Sequence, residues 1–190
     1  MPDHLLILTE EKSGPALAQY ILARAPQLDV RIILDRQTLE AICEALFAAH
    51  AGAAPRIRLI AFCCPFIVPA HIIPRLSLVA YNIHPGTPDY PGVHPDAFAH
   101  KDGVRSWGAT AHELTSEIDA GRIVARADAE VPPDLDRTGL ADLGFSCAVD
   151  LFRVIADFCL GSDDKMPPLP GAHWRGKRRT MADYRALSAV

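Results

Sequence analysis

The stretch NIHPGTPDYPGVHPDAFAHKDGVRSWGATAHELTSEIDAG, residues 82–121, carries the most informative pattern in the chain. It opens with Asn82 and His84, directly after the apolar residues 78–81, which predict a short buried strand. Alternate strand residues point to the same face, so both side chains are expected on one face at the strand's end. A proline-glycine pair then turns the chain away from the sheet. Open α/β sheets bind ligands beyond the carboxyl ends of their strands, so Asn82 and His84 mark a candidate site.

The second half of the stretch supplies a carboxylate. Residues 107–114 alternate in hydrophobicity and predict a strand, and the polar residues 115–121 predict a loop after it. Gly121 is expected to take a positive φ in that loop, which other residues resist. Asp119 is therefore expected to be a loop carboxylate beside a strand, a location where functional side chains concentrate.

Strands and helices alternate along the chain, which predicts a single α/β domain with a mostly parallel sheet flanked by helices. The predicted strands cover residues 4–9, 28–34, 56–64, 78–84, 108–113 and 122–131. The predicted helices cover 15–25, 36–50, 95–101 and 138–160, with one helical turn over 70–75. Ser13 is expected to cap the first helix. Residues 1–161 are expected to form the domain, and 162–190 an extension that Trp174 and Tyr184 dock onto it.

Composition narrows the class of protein. Of the 190 residues, 49% are hydrophobic and 22% charged, which is ordinary for one globular domain. A net charge of −4 gives no basis for general nucleic-acid binding. The absence of an uncharged apolar run of membrane-spanning length and of a signal-peptide pattern predicts a cytoplasmic protein without a membrane span.

The cysteine pattern favours free thiols in a reducing compartment. The five cysteines are Cys43, Cys63, Cys64, Cys147 and Cys159, an odd number in apolar surroundings. The adjacent pair at 63–64 lacks zinc-type spacing, so no metal site is expected.

Three separated motifs occur in order: NIHP at 82–85, YPGVH at 90–94, and a histidine followed by D-x-G from His112 to Gly121. Together they resemble the signature of the folate-dependent formyltransferase family, over about residues 59–124. The resemblance implies a Rossmann-like domain that uses 10-formyltetrahydrofolate as formyl donor. It also implies a small-molecule amine as acceptor.

Formyl transfer requires donors for the negative charge that develops on the formyl oxygen when an amine attacks. The Asn82 amide is a fixed neutral donor, and a protonated His84 is a charged one. Asp119 suits the movement of a proton from the attacking amine to the leaving folate nitrogen, directly or through a water. The resemblance assigns these roles to the same three positions, which are the predicted catalytic residues.

The resemblance also implies the residues that bind the two substrates. Those expected at the folate are Phe66, Ile67, Val68, His112, Thr115, Ser116 and Ile118. Those expected at the acceptor are Gly86, Tyr90 and His94. Simpler interpretations stay open: residues 66–68 as core, His94 as a structural residue, and His112 as a strand-end residue bonded to a backbone carbonyl.

Two departures from well-known relatives disfavour their acceptors. Residues 9–14, TEEKSG, lack the glycine-rich loop that cradles phosphate in glycinamide ribonucleotide formyltransferases, and Glu10 and Glu11 would repel a phosphate. The chain is also expected to lack the C-terminal barrel with which methionyl-tRNA formyltransferases bind RNA. An amino sugar, a nucleotide sugar or an amino-acid derivative then fits the acceptor. The alternatives are a formyltetrahydrofolate hydrolase and a non-catalytic folate-binding protein; a homodimer stays open.

Overall fold

The computed structural model describes residues 2–49 and 55–188. Its strands are β1 (His4–Leu8), β2 (Asp29–Ile33), β3 (Ile57–Phe62), β4 (Tyr81–His84), β5 (Ser106–Glu113) and β6 (Ile123–Glu130). Within these residues they form one sheet in the order β2-β1-β3-β4-β5-β6. The strands from β2 to β4 pair in parallel, and β5 is antiparallel to both of its neighbours. The predicted α/β fold with a mostly parallel sheet is confirmed.

The helices lie on both faces of this sheet. They are α1 (Gly14–Leu22), α2 (Arg36–Ala49), α3 (Pro95–Asp102), α4 (Arg137–Gly161) and α5 (Met181–Ser188), with a 3-10 turn at Ile73–Arg75. Residue 50, the predicted end of the second helix, lies outside the described residues, and α5 was not predicted. The buried apolar residues of α1 and α4 pack with Leu5 and Ile7, whereas those of α2 pack with Leu6 and Leu8. Alternation along β1 thus splits the core between the two faces.

The longest of these helices, α4, begins with a side-chain cap. The carboxylate of Asp136 accepts a 2.8 Å hydrogen bond from the Gly139 amide, which satisfies one of the free donors at the helix start. Its buried side includes Leu140, Leu151 and Ile155. Val154, although apolar, lies off this side and is 47% exposed. The sheet-facing line runs through 144, 148, 151, 155 and 159, and residue 154 lies about 100° from 155 around the axis.

Two local predictions are wrong for physical reasons. The fourth strand begins at Tyr81 and not at residue 78, because the Val79 carbonyl accepts from the buried guanidinium of Arg58 at 2.8 Å. The Ser13 side chain makes no capping bond to α1. Its backbone has helical angles, φ −88° and ψ −30°, whereas a capping residue needs an extended conformation to reach the next amides.

Gly121 also differs from expectation. The positive-φ residues that the structure describes include Asp119, at φ 46°, but not Gly121. A Cβ on Gly121 would lie 1.7 Å from the Glu113 carbonyl oxygen. Glycine is therefore required for close backbone approach between the ends of β5 and the following loop, and not for its dihedral freedom.

Several negative findings concern the described part of the chain alone. No helix there combines the length and hydrophobicity that a bilayer crossing demands. No group of three or more histidine, cysteine or acidic side chains there has a metal-binding arrangement. The five cysteines are free thiols; Cys63 and Cys64 are half-buried, and burial raises the pKa of the Cys63 thiol to about 12.

Candidate active site

A cavity of about 500 Å³ opens where β3 and β4 end. This volume lies in the range of small-molecule sites. It is lined by the three predicted catalytic residues, Asn82, His84 and Asp119. All residues predicted for the folate line it as well: Phe66, Ile67, Val68, His112, Thr115, Ser116 and Ile118. The structure therefore brings both predicted sets to one cavity.

Strand alternation places the first polar pair as expected. Tyr81 and Ile83 point into the core cluster that includes α4, so Asn82 and His84 share the opposite face. The antiparallel register of β4 and β5 sets Asn82 opposite His112. That pairing explains how a histidine 30 positions along the chain becomes an immediate neighbour of Asn82.

Asp119 lies at the centre of this polar group and is 5% exposed at its side chain. Its Oδ2 accepts a 2.7 Å hydrogen bond from the Gly92 amide and lies 3.4 Å from His84 Nδ1. Its Oδ1 lies 3.3 Å from His112 Nε2 and accepts from Asn82 Nδ2 at 3.4 Å. Four neighbours from three segments of chain thus surround one carboxylate.

The electrostatics keep this carboxylate ionised. Burial acts to raise the pKa of Asp119, but the charge of His84, the hydrogen bond and charge of His112 and the Gly92 amide outweigh it and lower that pKa to about 2. An anion with so low a pKa is a weak base, and it takes up a proton only for the short time in which a reacting group releases one beside it. Asp119 can therefore fix nearby donors and receive a proton late in a reaction.

Backbone carbonyls assign a hydrogen to each imidazole. His84 Nε2 lies 2.9 Å from the Tyr90 carbonyl, and His112 Nδ1 lies 2.8 Å from the Glu113 carbonyl. Since a carbonyl oxygen only accepts, each of these nitrogens donates. His112 Nε2 lies 3.0 Å from Asn82 Nδ2 and 3.3 Å from Asp119 Oδ1. It accepts from the amide when the ring is neutral and donates to the carboxylate when the ring is protonated. Of the two His84 nitrogens, Nδ1 is the one beside the Asp119 carboxylate, at 3.4 Å.

Two residues expected at the acceptor, Gly86 and Tyr90, are not among the cavity's lining residues. A Cβ on Gly86 would lie 2.6 Å from His84 Nε2, so glycine gives the imidazole its room. The Tyr90 hydroxyl donates to Asp102, and its ring packs edge-on against Trp107. Both residues support His84, and neither reaches the cavity.

The third expected acceptor residue, His94, does line the cavity. It takes a left-handed conformation at the start of α3, φ 48°. Its ring stacks on Tyr184 of α5 at a centroid separation of 3.8 Å. Met181 of the same helix also lines the cavity. The sequence did not predict that Met181 of α5 lines the cavity, although Trp174 and Tyr184 indicated that the C-terminal extension docks onto the domain.

A second cavity of about 260 Å³ adjoins the first. The residues that line both are Glu10, Cys63, Pro85, Pro95 and Asp96. The smaller cavity is also lined by Asp142 and by Thr9, which is 1% exposed and whose hydroxyl oxygen has no partner. Three carboxylates and a free hydroxyl therefore surround a space that continues from the first cavity.

The fold and site define an α/β protein with an amide, two imidazoles and a carboxylate at the carboxyl ends of its strands. The model of the protein family described as formyl transferase matches residues 21–144, about two thirds of the chain. This chain therefore belongs to the formyl transferase family.

Solved structures share the fold over nearly the whole chain. A 4-N formyltransferase from Francisella tularensis is 18% identical with a TM-score of 0.74, and covers 97% of this chain and 78% of its own. A sugar N-formyltransferase from Shewanella sp. FDAARGOS_354 is 20% identical with a TM-score of 0.71, covering 96% and 78%. HypX from Aquifex aeolicus in complex with tetrahydrofolic acid is 20% identical with a TM-score of 0.61, covering 94% and 30%. At these identities the likeness shows the fold.

One curated relative matches part of the chain. Formyltetrahydrofolate deformylase from Corynebacterium sp. (strain P-1) is 37% identical over 75 residues, which is 36% of this chain. The match spans only 26%, about a quarter, of the deformylase.

Proposed function

We propose that this protein transfers a formyl group from 10-formyltetrahydrofolate to the amine of a small metabolite. The observation that carries the proposal is the meeting of Asn82, His84 and Asp119, with neighbouring side-chain atoms within 3.4 Å, at one cavity wall. Family membership supports the reaction type, and tetrahydrofolic acid in the HypX structure supports the donor.

Each of the three side chains has a distinct role in this proposal. The Asn82 amide and an imidazole N–H of His84 donate hydrogen bonds to the formyl oxygen as it gains negative charge, and each such donor lowers the barrier by about 3–4 kcal/mol. Asp119 holds both donors in place and passes the proton that the attacking amine loses to the folate nitrogen, which leaves as its bond to the formyl carbon breaks. Its pKa of about 2 keeps it ionised at the start of the reaction.

The larger cavity fits a folate. Apolar residues Ile67, Val68 and Ile118 provide a surface for the flat ring system, and Thr115 and Ser116 offer polar groups at its edge. Apolar walls with a few placed polar groups are typical of such sites. The donor therefore occupies the larger cavity, with its formyl group toward the polar set.

The acceptor then enters from the smaller cavity. Its exposed carboxylates, Glu10 and Asp142, attract an ammonium and repel a phosphate. The third carboxylate, Asp96, is paired with Arg137 at 2.6 Å, and the Thr9 hydroxyl is buried. Among amino sugars, nucleotide sugars and amino-acid derivatives, these groups favour an acceptor without phosphate near the amine.

The test is release of tetrahydrofolate by purified protein given 10-formyltetrahydrofolate and a panel of amines. Asn82 is the only asparagine in the chain, and we expect Asn82→Ala to lower kcat by about 10²–10³-fold. Asp119→Asn should also remove most of the activity, whereas the exposed Asp134→Asn, outside both cavities, should not. Unchanged turnover in Asn82→Ala would rule out this mechanism.

A second candidate, hydrolysis of 10-formyltetrahydrofolate, is favoured by the 37% identity to a deformylase. Water would replace the amine as nucleophile, and the same three residues would serve. Formate release without any amine, at a rate that amines do not raise, identifies the hydrolase. Folate binding without either product would instead indicate a non-catalytic folate-binding protein.

A further inference from the structure

The segment 174–184, which we call the C-terminal strap, runs along the loop formed by residues 88–93. Four backbone hydrogen bonds join them. The Arg175 and Gly176 amides donate to the Pro88 carbonyl at 3.0 and 3.3 Å, the Arg179 amide to the Pro91 carbonyl at 2.8 Å, and the Val93 amide to the Arg179 carbonyl at 3.1 Å. Gly92 and Arg179 form a parallel bridge. The strap therefore pairs with the loop through its backbone, as a short added strand would.

Close approach makes this pairing specific. A Cβ on Gly92 would lie 2.1 Å from the Arg179 carbonyl oxygen, and one on Gly176 would lie 1.7 Å from that of Asp89. The Arg175 guanidinium also donates two bonds, of 2.8 and 2.7 Å, to the Asp89 carboxylate. Paired donors of this kind fix geometry as well as adding energy.

The loop held by the strap supplies two groups to the polar site. The Tyr90 carbonyl accepts from His84 Nε2, and the Gly92 amide donates to Asp119. The orientation of one imidazole and of the carboxylate thus depends on the position of residues 90 and 92, which the strap fixes.

Trp174 makes a second and more direct connection. Its ring meets His112 edge to face at 5.1 Å and 87°, and His84 at 5.8 Å and 73°. Its Nε1 donates to the Gly121 carbonyl at 2.9 Å, two residues after Asp119. Trp174 is not among the residues that line the cavity. It supports both imidazoles from behind, out of reach of a ligand.

We propose that Trp174 is a positioning residue of the formyl-transfer site, and that the strap is part of that site's architecture. This inference rests on the proposed function for its effect on rate. Rotation of either ring would break its carbonyl bond, and the indole restrains both rings at once. Losing both edge-to-face contacts should lower kcat by roughly fivefold to a hundredfold.

The experiment compares Trp174→Leu, which keeps apolar volume but loses the aromatic ring, with Trp174→Phe, which keeps a ring. The control is Lys165→Ala, because Lys165 is exposed and lies outside the strap and both cavities. We expect Trp174→Leu to lower kcat by that factor with little change in KM for the formyl donor, because Trp174 does not line the cavity. Trp174→Phe should recover most of kcat, and Lys165→Ala should match the wild type.

A second readout does not depend on turnover. In the wild type, the hydrogens on His84 Nε2 and His112 Nδ1 are bonded to carbonyls and should give slowly exchanging imidazole resonances in ¹⁵N-labelled protein. Trp174→Leu should broaden or shift both, and Lys165→Ala neither. A folded Trp174→Leu protein with wild-type kcat and unchanged resonances overturns the inference. A wild type without folate turnover overturns the proposed function instead, while the resonances still test the strap.

Discussion

At the residue scale, Asp119 combines two features that each cost free energy. It combines a buried charge with a left-handed backbone, and each is unfavourable unless its surroundings compensate. Compensation comes from the Gly92 amide, two imidazoles and the Asn82 amide, which reach it from different parts of the chain. The carboxylate therefore organises its neighbours as much as they organise it, and removing any one of them leaves a charge less well paired.

This coupling predicts how acid affects stability. The pKa of Asp119 is about 2 in the folded protein and near 3.8 in an unfolded chain. A lowered folded-state pKa stabilises the fold above the unfolded value, and this stabilisation is lost as pH falls through the folded value. The difference between these two pKa values contributes about 2 kcal/mol to the free energy of unfolding, and this contribution is lost between roughly pH 4 and pH 2.

The measurement is urea unfolding of the wild type and Asp119→Asn at several pH values across that interval. Other acidic groups titrate in both proteins, so the difference between their slopes isolates Asp119. We expect the wild type to lose more free energy of unfolding than Asp119→Asn as the pH falls. Equal slopes would show that Asp119 is not stabilised as an anion in the fold.

At the element scale, the β5–β6 connection decides where Asp119 lies. The Glu113 amide donates to the Arg122 carbonyl at 2.9 Å, which closes the loop between the strands. The backbone of Gly121 passes so close to the Glu113 carbonyl that no side chain would fit between them. The loop is therefore held close to the strand that carries His112, and it directs Asp119 toward Asn82.

Substitution of Gly121 tests this element. We expect Gly121→Ala to lower the free energy of unfolding by about 3 kcal/mol, because a methyl group placed 1.7 Å from a backbone oxygen forces the loop to move. The matched control is Gly161→Ala, where a Cβ meets nothing within 4 Å at the end of α4, so stability should change by less than about 1 kcal/mol. Thermal and urea unfolding measure both. A Gly121→Ala protein as stable as the control would contradict the close approach.

Some helices and strands were more predictable than others, because the spacing of apolar residues indicates which residues are buried but not which distant residues they contact. A continuous apolar run predicted β1, and the helical spacing of apolar residues predicted α2 and α4. The start of β4 was misplaced because Arg58, 21 positions away, occupies the Val79 carbonyl. The motifs predicted Asn82, His84 and Asp119 for the site. Nothing local showed that Gly86 and Tyr90 would support His84 and not reach the cavity.

At the scale of the whole molecule, the sheet and the strap enclose the site from opposite sides. The parallel strands end together at the cavity, and β5 runs back antiparallel to bring His112 beside Asn82. The strap returns over the same region, with Trp174 behind the imidazoles and Met181 at the cavity wall. Long-range pairings of this kind have no signature in a short window of sequence, which explains why the sequence predicted a docked extension but not its backbone pairing with residues 88–93.

Occupation of the cavity should stabilise the whole fold, and this is the last prediction. A ligand that binds only the folded state at about 100 times its Kd adds about 2.7 kcal/mol, or roughly 5–10 °C in Tm for a domain of this size. A stable tetrahydrofolate analogue should give such a shift.

Ile67, 62% exposed and lining the cavity, supplies apolar contact, so Ile67→Glu should reduce the shift by at least about half. Val154→Glu makes the same change at an exposed site on α4 outside the cavity and should keep the full shift. Equal shifts in both variants would place the analogue elsewhere on the molecule, and no shift in the wild type would remove the folate from the proposal altogether.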